Sequence, residues 1–274
     1  MLHVTRQGYY QWRRRRPSEH ARRDAELVGM VREVWESSRR TYGSPRVFAQ
    51  LSRDGVSTSE KRVARIMRER GWAGVSRRCA KSPDGREKRV GRKDGAPDLV
   101  RRHFDADGPD QAWFADITYV RTHQGWLYLA IVMDIWSRRV VGWAMDDRID
   151  AKLADDALRM AIARRRPTEG CLHHSDHGSQ YASLVVGKTM KDYGIRPSMG
   201  SIESPWDNAP TESLMGTIKS ECVHARTYRD REQAALEIFE YIECFYNRLR
   251  IHSALGYMSP VEYEEAHAHQ PLAA

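Results

Sequence analysis

Between Trp113 and Met145 the chain carries three strand-like segments with only short turns between them: Trp113–Val120, Trp126–Asp134 and Arg138–Met145. Connections this short favour hairpins over crossovers, so the three predict an antiparallel meander. The pattern then alternates. Helix is expected over Ala151–Arg165, strand over Cys171–His174, helix over Leu184–Tyr193 and strand over Ile195–Met199. A turn-rich stretch, Gly200–Asp207, leads into a helix from about Asn208 with Pro210 tolerated in its first turn. A long helix from Glu232 to about Arg250 follows, with Phe239, Ile242 and Phe245 assigned to the core. The whole is an α/β domain.

The segment upstream reads as helices alone. Leu27, Val31, Val34 and Trp35 recur at helical spacing within Ala21–Arg40. Pro45 opens a short helix bearing Val47, Phe48 and Leu51, which Asp54-Gly55 breaks. Ser57 with Glu60 gives a capping-box signal for a further helix, ended near Arg70 by Gly71. Val63, Ile66 and Met67 point into this bundle, whereas Lys61, Arg62, Arg65 and Arg68 project on its other sides, placed to meet phosphates or base edges of DNA. From Arg77 to about Arg102 the chain is rich in Lys, Arg, Gly, Pro and Asp, as in an extended linker.

Charge divides the chain. Residues 1–102 hold 27 Lys/Arg against 12 Asp/Glu (+15), and residues 103–274 hold 18 against 25 (−7), which sums to the net +8. A basic, helical first half points to a polyanionic partner. The longest apolar run, Trp126–Met133, is too short to span a bilayer, and the N-terminus MLHVTRQGYYQWRRRRP lacks a signal-peptide apolar region, so a cytoplasmic protein without membrane contact is expected. Cys79, Cys171, Cys222 and Cys244 form no CxxC pair, which predicts inert thiols and no zinc ribbon. Cys171, His173, His174 and His177 lie close in sequence, but strand alternation splits them between two faces.

Asp116 in WFADITYV, Asp176 in CLHHSDHGSQY and Glu212 in SPWDNAPTESLMGTIKSE are the candidate metal ligands and catalytic residues, separated by 59 and 35 residues. Gathered together they make an oxygen-only site suited to Mg²⁺ or Mn²⁺. Asp134, Glu203 and Asp207 are assigned structural or supporting roles. Lys219, seven residues beyond Glu212 and so on the same helix face, is expected to grip DNA.

These three blocks resemble the integrase core of insertion-sequence transposases, specifically the OrfB type of the IS-three family, relatives of retroviral integrases. RRTYGSPRVFAQL resembles the helix-turn-helix segment that precedes that core, and YNRLRIHSALGYMSPVEYEE its closing helix and tail, so the similarity runs from about Gly8 to Tyr263. Trp206, where Tyr is more usual, and His177, where Arg is common, depart from the pattern beside the carboxylates. The zinc module of retroviral integrases has no counterpart before Cys79.

The resemblance implies a ribonuclease-H-like core with a mixed five-stranded sheet, preceded by a small all-α helix-turn-helix domain. It implies boundaries at 1–76 for that domain, 77–105 for a basic linker, 106–265 for the core and 266–274 for a tail. It further implies a DNA transposase that uses two divalent ions, Asp116 bridging both and Asp176 and Glu212 each holding one. Its partners would be the element's terminal inverted repeats, target DNA, an upstream-frame protein or frameshift fusion, and further copies of itself on the nucleoid. Two alternatives stay open: a domesticated, noncatalytic DNA-binding protein, and a metal-dependent nuclease that only hydrolyses.

Overall fold

The computed structural model describes residues 5–14, 19–75, 96–100, 106–200 and 208–268. Most of the linker predicted over 77–105 lies outside them, as do Cys79, Glu203, Trp206 and Asp207. Two compact units are present, Met1–Val75 and Ser76–Ala274.

In the first unit run α1 (Arg6–Arg14), α2 (Glu19–Ser37), α3 (Ser44–Arg53) and α4 (Glu60–Glu69). Leu27, Val31 and Val34 of α2, Val47 and Leu51 of α3, and Val63, Ile66 and Met67 of α4 are buried. These positions carry the 3.6-residue periodicity that made the helices predictable. The cap of α4 differs from expectation: Ser59, not Ser57, accepts the Arg62 amide, and Glu60 is the first helical residue. Gly71 follows with φ of 69° and turns the chain out of the helix. Trp72 then stacks on Trp35 with centroids 5.7 Å apart, and the Trp35 indole donates to the Ala73 carbonyl at 3.0 Å.

The second unit is built on five strands: β1 (Ala112–Thr122), β2 (Gly125–Asp134), β3 (Val140–Asp146), β4 (Leu172–Ser175) and β5 (Arg196–Met199). Their order is β3-β2-β1-β4-β5. The first hairpins pair antiparallel, and β1–β4 and β4–β5 pair parallel. A mixed sheet results because only β4 and β5 are reached through helices, α5 (Ala151–Arg165) and α6 (Leu184–Asp192). One core face joins Trp113, Ala115, Ala130, Val132 and Val141 to Leu153, Ala157, Leu158 and Ala161 of α5. There α5 approaches β3 so closely that a Cβ on Gly142 would lie 2.2 Å from the Ala157 carbonyl oxygen, so no other residue fits.

Beyond the sheet lie α7 (Ala209–Glu221), α8 (Arg231–Glu240) and α9 (Pro260–His267). The single long helix expected over 232–250 instead ends as α8, and Tyr241–Tyr246 form a π-helical turn. Asn247 N–H and Arg250 N–H both reach back five residues, to Ile242 and Phe245. The wider turn buries Tyr241, Ile242, Phe245 and Tyr246 together. Phe239 was placed in the core by periodicity, yet it is exposed and only meets Trp143 edge-on at 5.8 Å.

Four polar residues of the closing segment tie it to the sheet and to α7. Asn247 accepts from Val140 N–H at 2.9 Å and donates to Val140 C=O at 3.0 Å. The Tyr246 hydroxyl donates to the Arg138 carbonyl at 3.2 Å. Arg250 grips Glu221 with two bonds of 2.7 Å, and Tyr241 donates to the same carboxylate at 2.8 Å. Arg250 and Glu221 are each 4% exposed, so the pair is buried and desolvated. Losing one partner strands the other charge, and Arg250→Ala is expected to cost about 3–5 kcal/mol. An Arg250→Met/Glu221→Leu double variant should recover at least half of that loss, which urea unfolding of both proteins checks.

Candidate functional site

Register brings two of the three carboxylates to one place. Phe114 of β1 pairs with His174 of the parallel β4. Two residues on from that pair stand Asp116, within β1, and Asp176, one residue past the end of β4, where the two neighbouring strands run about 4.8 Å apart. Both are half-buried. Asp116 Oδ1 accepts from Ile117 N–H at 2.8 Å, and Asp176 Oδ1 accepts from Gly178 N–H at 3.0 Å. A Cβ on Gly178 would come within 2.9 Å of that Asp176 oxygen, so a larger residue there would displace the carboxylate.

Behind the pair sits Tyr181, 5% exposed, whose buried hydroxyl has no hydrogen-bond partner among the described residues. Burial first, then the charges of Asp116 and Asp176, push its pKa well above the ordinary phenol value. A neutral O–H donor thus stands beside both carboxylates. Its ring meets His173, whose centroid is 5.8 Å away.

Glu212 occupies the first turn of α7. Asn208, just ahead of that helix, donates to the Ala115 carbonyl at 3.4 Å, and Thr211 donates to Asn208 Oδ1. The helix therefore starts against β1 at the residue before Asp116. Partial burial raises the Glu212 pKa above its usual value. Among the described residues no three Asp, Glu, His or Cys side chains are gathered closely enough to hold a metal ion. Glu212 thus stands near the strand of Asp116 without closing on the aspartate pair. The donors still fit a hard divalent cation in kind: all are carboxylate oxygens, and the unpartnered Tyr181 hydroxyl is buried beside two of them.

The remaining candidates separate. Asp134 is fully buried and accepts from Asp110 N–H at 2.9 Å, Ser137 N–H at 2.9 Å and Ser137 O–H at 2.7 Å; burial lifts its pKa to about 6. It holds the turn after β2. His174 Nδ1 bonds Ser198 at 2.9 Å, and His173 is driven down to about 4 by burial and then by His174. Cys171 and Cys222 are buried, burial pushing the Cys171 thiol up to about 12, and Cys244 is exposed.

On α4, Lys61 and Arg68 face solvent. Arg62 and Arg65 do not reach out as expected, because both bond Asp24 of α2, at 2.6 and 2.7 Å. Arg65 and then Arg62 hold the Asp24 carboxyl below its usual pKa. Lys219 is partly exposed, its Nζ 5.2 Å from the centroid of the Tyr119 ring.

Sequence comparison matches residues 106–205 and 212–267 to models of the integrase core domain, and residues 21–79 to an HTH-like domain. The chain is 39% identical over 270 residues to transposase InsF for insertion sequence IS3A of Escherichia coli (strain K12), covering 96% of this chain and 91% of that protein. It is 36% identical over 272 residues to an uncharacterized 31 kDa protein of insertion element IS600 from Shigella sonnei, covering 98% of both. The chain belongs to the IS3 family of transposases. A retroviral integrase in a simian T-cell lymphotropic virus intasome shares its fold, with a TM-score of 0.53 at 15% identity over 85% of this chain and 74% of that one. The transposase thus has an integrase-like, ribonuclease-H-like core and a helical HTH-like domain.

Tyr181, Asn208, Asn247 and Arg250 of the transposase were not singled out from sequence. The only signal for them was position: Tyr181 lies five residues past Asp176, and Asn208 four before Glu212. His173 generates a pH prediction. Its folded pKa of about 4 lies below the ordinary histidine value of 6.5, so the unfolded chain takes up the proton first as pH falls. Stability is therefore full above pH about 6.5 and lost between there and about 4, by about 3 kcal/mol at most. His173→Phe should flatten that limb of the urea midpoint against pH, and an unchanged limb would exclude His173 as its source.

Proposed function

We propose that the transposase cuts DNA at the ends of its insertion element and joins the freed 3′-hydroxyl to another phosphodiester. The observation that carries this reading is the placing of Asp116 on β1 and Asp176 just past the end of the neighbouring parallel β4, with the buried Tyr181 phenol beside both. Two like charges so near one another favour a cation between them. Asp116 and Asp176 would hold it, with Glu212 completing the donor set from α7. Bound Mg²⁺ or Mn²⁺, two ions in all, would supply Lewis acidity to a reacting phosphate and its attacking and leaving oxygens.

The protein's own groups do the rest. Tyr181 stays protonated and keeps a neutral hydroxyl beside the carboxylates. Asn208 fixes the start of α7 on β1, which keeps Glu212 at the same end of the sheet as the aspartates. No side chain need form a covalent link to DNA, so the same residues serve cleavage and joining. In the first unit Lys61 and Arg68 meet phosphates, while Arg62 and Arg65 brace α4 on α2 and set how that helix is presented.

The partners in this reading are the element's terminal inverted repeats, target DNA, an upstream-frame protein or fusion, and further copies of the chain, acting on the nucleoid in the bacterial cytoplasm. No helix among the described residues is long and apolar enough to cross a membrane.

Joining of a precut end to a second duplex, in Mg²⁺, tests the reaction. Asp116→Ala, Asp176→Ala and Glu212→Ala are each expected to lower joining at least about a hundredfold, the scale of losing a major transition-state contact, with duplex affinity nearly unchanged. Hydrolysis without joining by the unaltered protein would favour a nuclease, and binding without either reaction a noncatalytic protein. Lys61→Ala and Arg68→Ala should each reduce the slope of log affinity against log salt by about 0.9. An unchanged slope in both would remove the outer face of α4 from the DNA contact.

A further inference from the structure

The tip of the β1–β2 hairpin carries aromatic rings that the fold does not bury. Tyr119 is 57% exposed and Trp126 45% exposed, although strands are where such rings are normally packed away. They touch edge to face, with centroids 5.1 Å apart and planes at 82°. The register sets Tyr119 opposite Tyr128 and Arg121 opposite Trp126, so these four side chains share one face of the hairpin. Arg121 is exposed and makes no ion pair among the described residues. Lys219 places its ammonium 5.2 Å from the Tyr119 ring centroid. Asp146, opposite Tyr128 on β3, puts a negative charge on the far side, so the patch is basic towards Lys219 and Arg121.

Both elements that lead to this patch also carry the carboxylates. Tyr119 lies three residues beyond Asp116 on β1, about 10 Å along the strand and, by strand alternation, on the other face of the sheet. Lys219 lies seven residues beyond Glu212 on α7, about 10 Å along a helix. We propose that Tyr119 and Trp126, flanked by Arg121 and Lys219, form a stacking platform for unpaired nucleotides of the DNA strand that adjoins the carboxylate site. This rests on the DNA-processing function proposed above, and adds to it a preference for an unpaired strand over intact duplex. Bases in a duplex already stack on each other and offer their faces only at its ends, whereas an unpaired strand offers every base. Aromatic rings with cations beside them suit that chemistry, the rings taking bases of any sequence and the cations taking the phosphates.

The experiment compares the full chain binding, without divalent metal, to a fluorescein-labelled blunt duplex and to the same duplex with a single-stranded tail of about eight thymidines, within the usual site sizes for such strands. The tail should tighten binding. Tyr119→Ala and Trp126→Ala should each weaken tailed-duplex binding by roughly five- to a hundredfold while leaving the blunt duplex nearly unaffected. Tyr119→Phe should behave as the unaltered protein, because stacking needs the ring and not the hydroxyl; circular dichroism confirms that each variant is folded. Equal weakening of both duplexes, or of neither, overturns the platform while leaving the DNA function standing. Failure of the unaltered protein to bind either duplex overturns both. A dimer that Tyr119→Ala converts to monomer in sedimentation, with the preference for the tail intact, overturns the platform and assigns the rings to contact between copies.

Discussion

The buried Glu221–Arg250 pair is the interaction on which the position of the site depends. Glu221 ends α7, the helix whose first turn carries Glu212, and Arg250 belongs to the closing segment that Asn247 fastens to β3. With its start on β1 through Asn208 and its end on Arg250, α7 is held at both ends by polar contacts. Apolar packing of Leu214, Met215 and Ile218 supplies the adhesion. Apolar surface alone tolerates sliding by a turn, whereas a desolvated ion pair with three directed bonds has one satisfactory geometry. Specificity of this sort is the best-supported use of a buried charge pair, whose net contribution to stability is small.

A different constraint governs the aspartates. Carboxylates brought near one another, one on β1 and one just past the end of β4, repel each other, and half-burial makes the repulsion stronger than in water. The fold offsets part of it with directed donors, the Ile117 and Gly178 amides. The neutral Tyr181 phenol stands beside both. Structural acids of this chain are held by other means: Glu221 by Arg250, Asp110 by Arg165, and Asp134 by Ser137 and the Asp110 amide.

Much of this was legible in the sequence because strands and helices announce themselves through burial period. Trp113–Val120 and Trp126–Asp134 were placed within a few residues of β1 and β2, since alternate side chains must enter a core. The cap of α4 was misplaced because Ser57, Thr58 and Ser59 all carry a capping oxygen, and the burial of Val63, Ile66 and Met67 decides which one the chain uses. Arg62 and Arg65 looked like DNA ligands because their partner, Asp24, lies 38 and 41 residues away and local pattern says nothing about it. The π-helical turn escaped for a related reason: Asn247 and Arg250 read as polar surface until β3 and Glu221 are placed against them. Long-range polar pairing is what a single sequence hides best.

Charge is divided along the chain at about residue 102. Residues 103–274, which carry the gathered carboxylates, are net negative by 7 and as a whole attract a phosphate backbone weakly. The +15 of residues 1–102 supplies that attraction instead, and because it acts through counterion release it is sensitive to salt. Metal bound at the carboxylates would reverse the sign of the potential at the site itself. Binding strength and chemistry are thereby set by separate groups: salt acts mainly on the first, metal on the second. Substitutions on the exposed face of α4 should then move affinity without altering the rate of joining once DNA is saturating, whereas substitutions at Asp116 or Asp176 do the reverse.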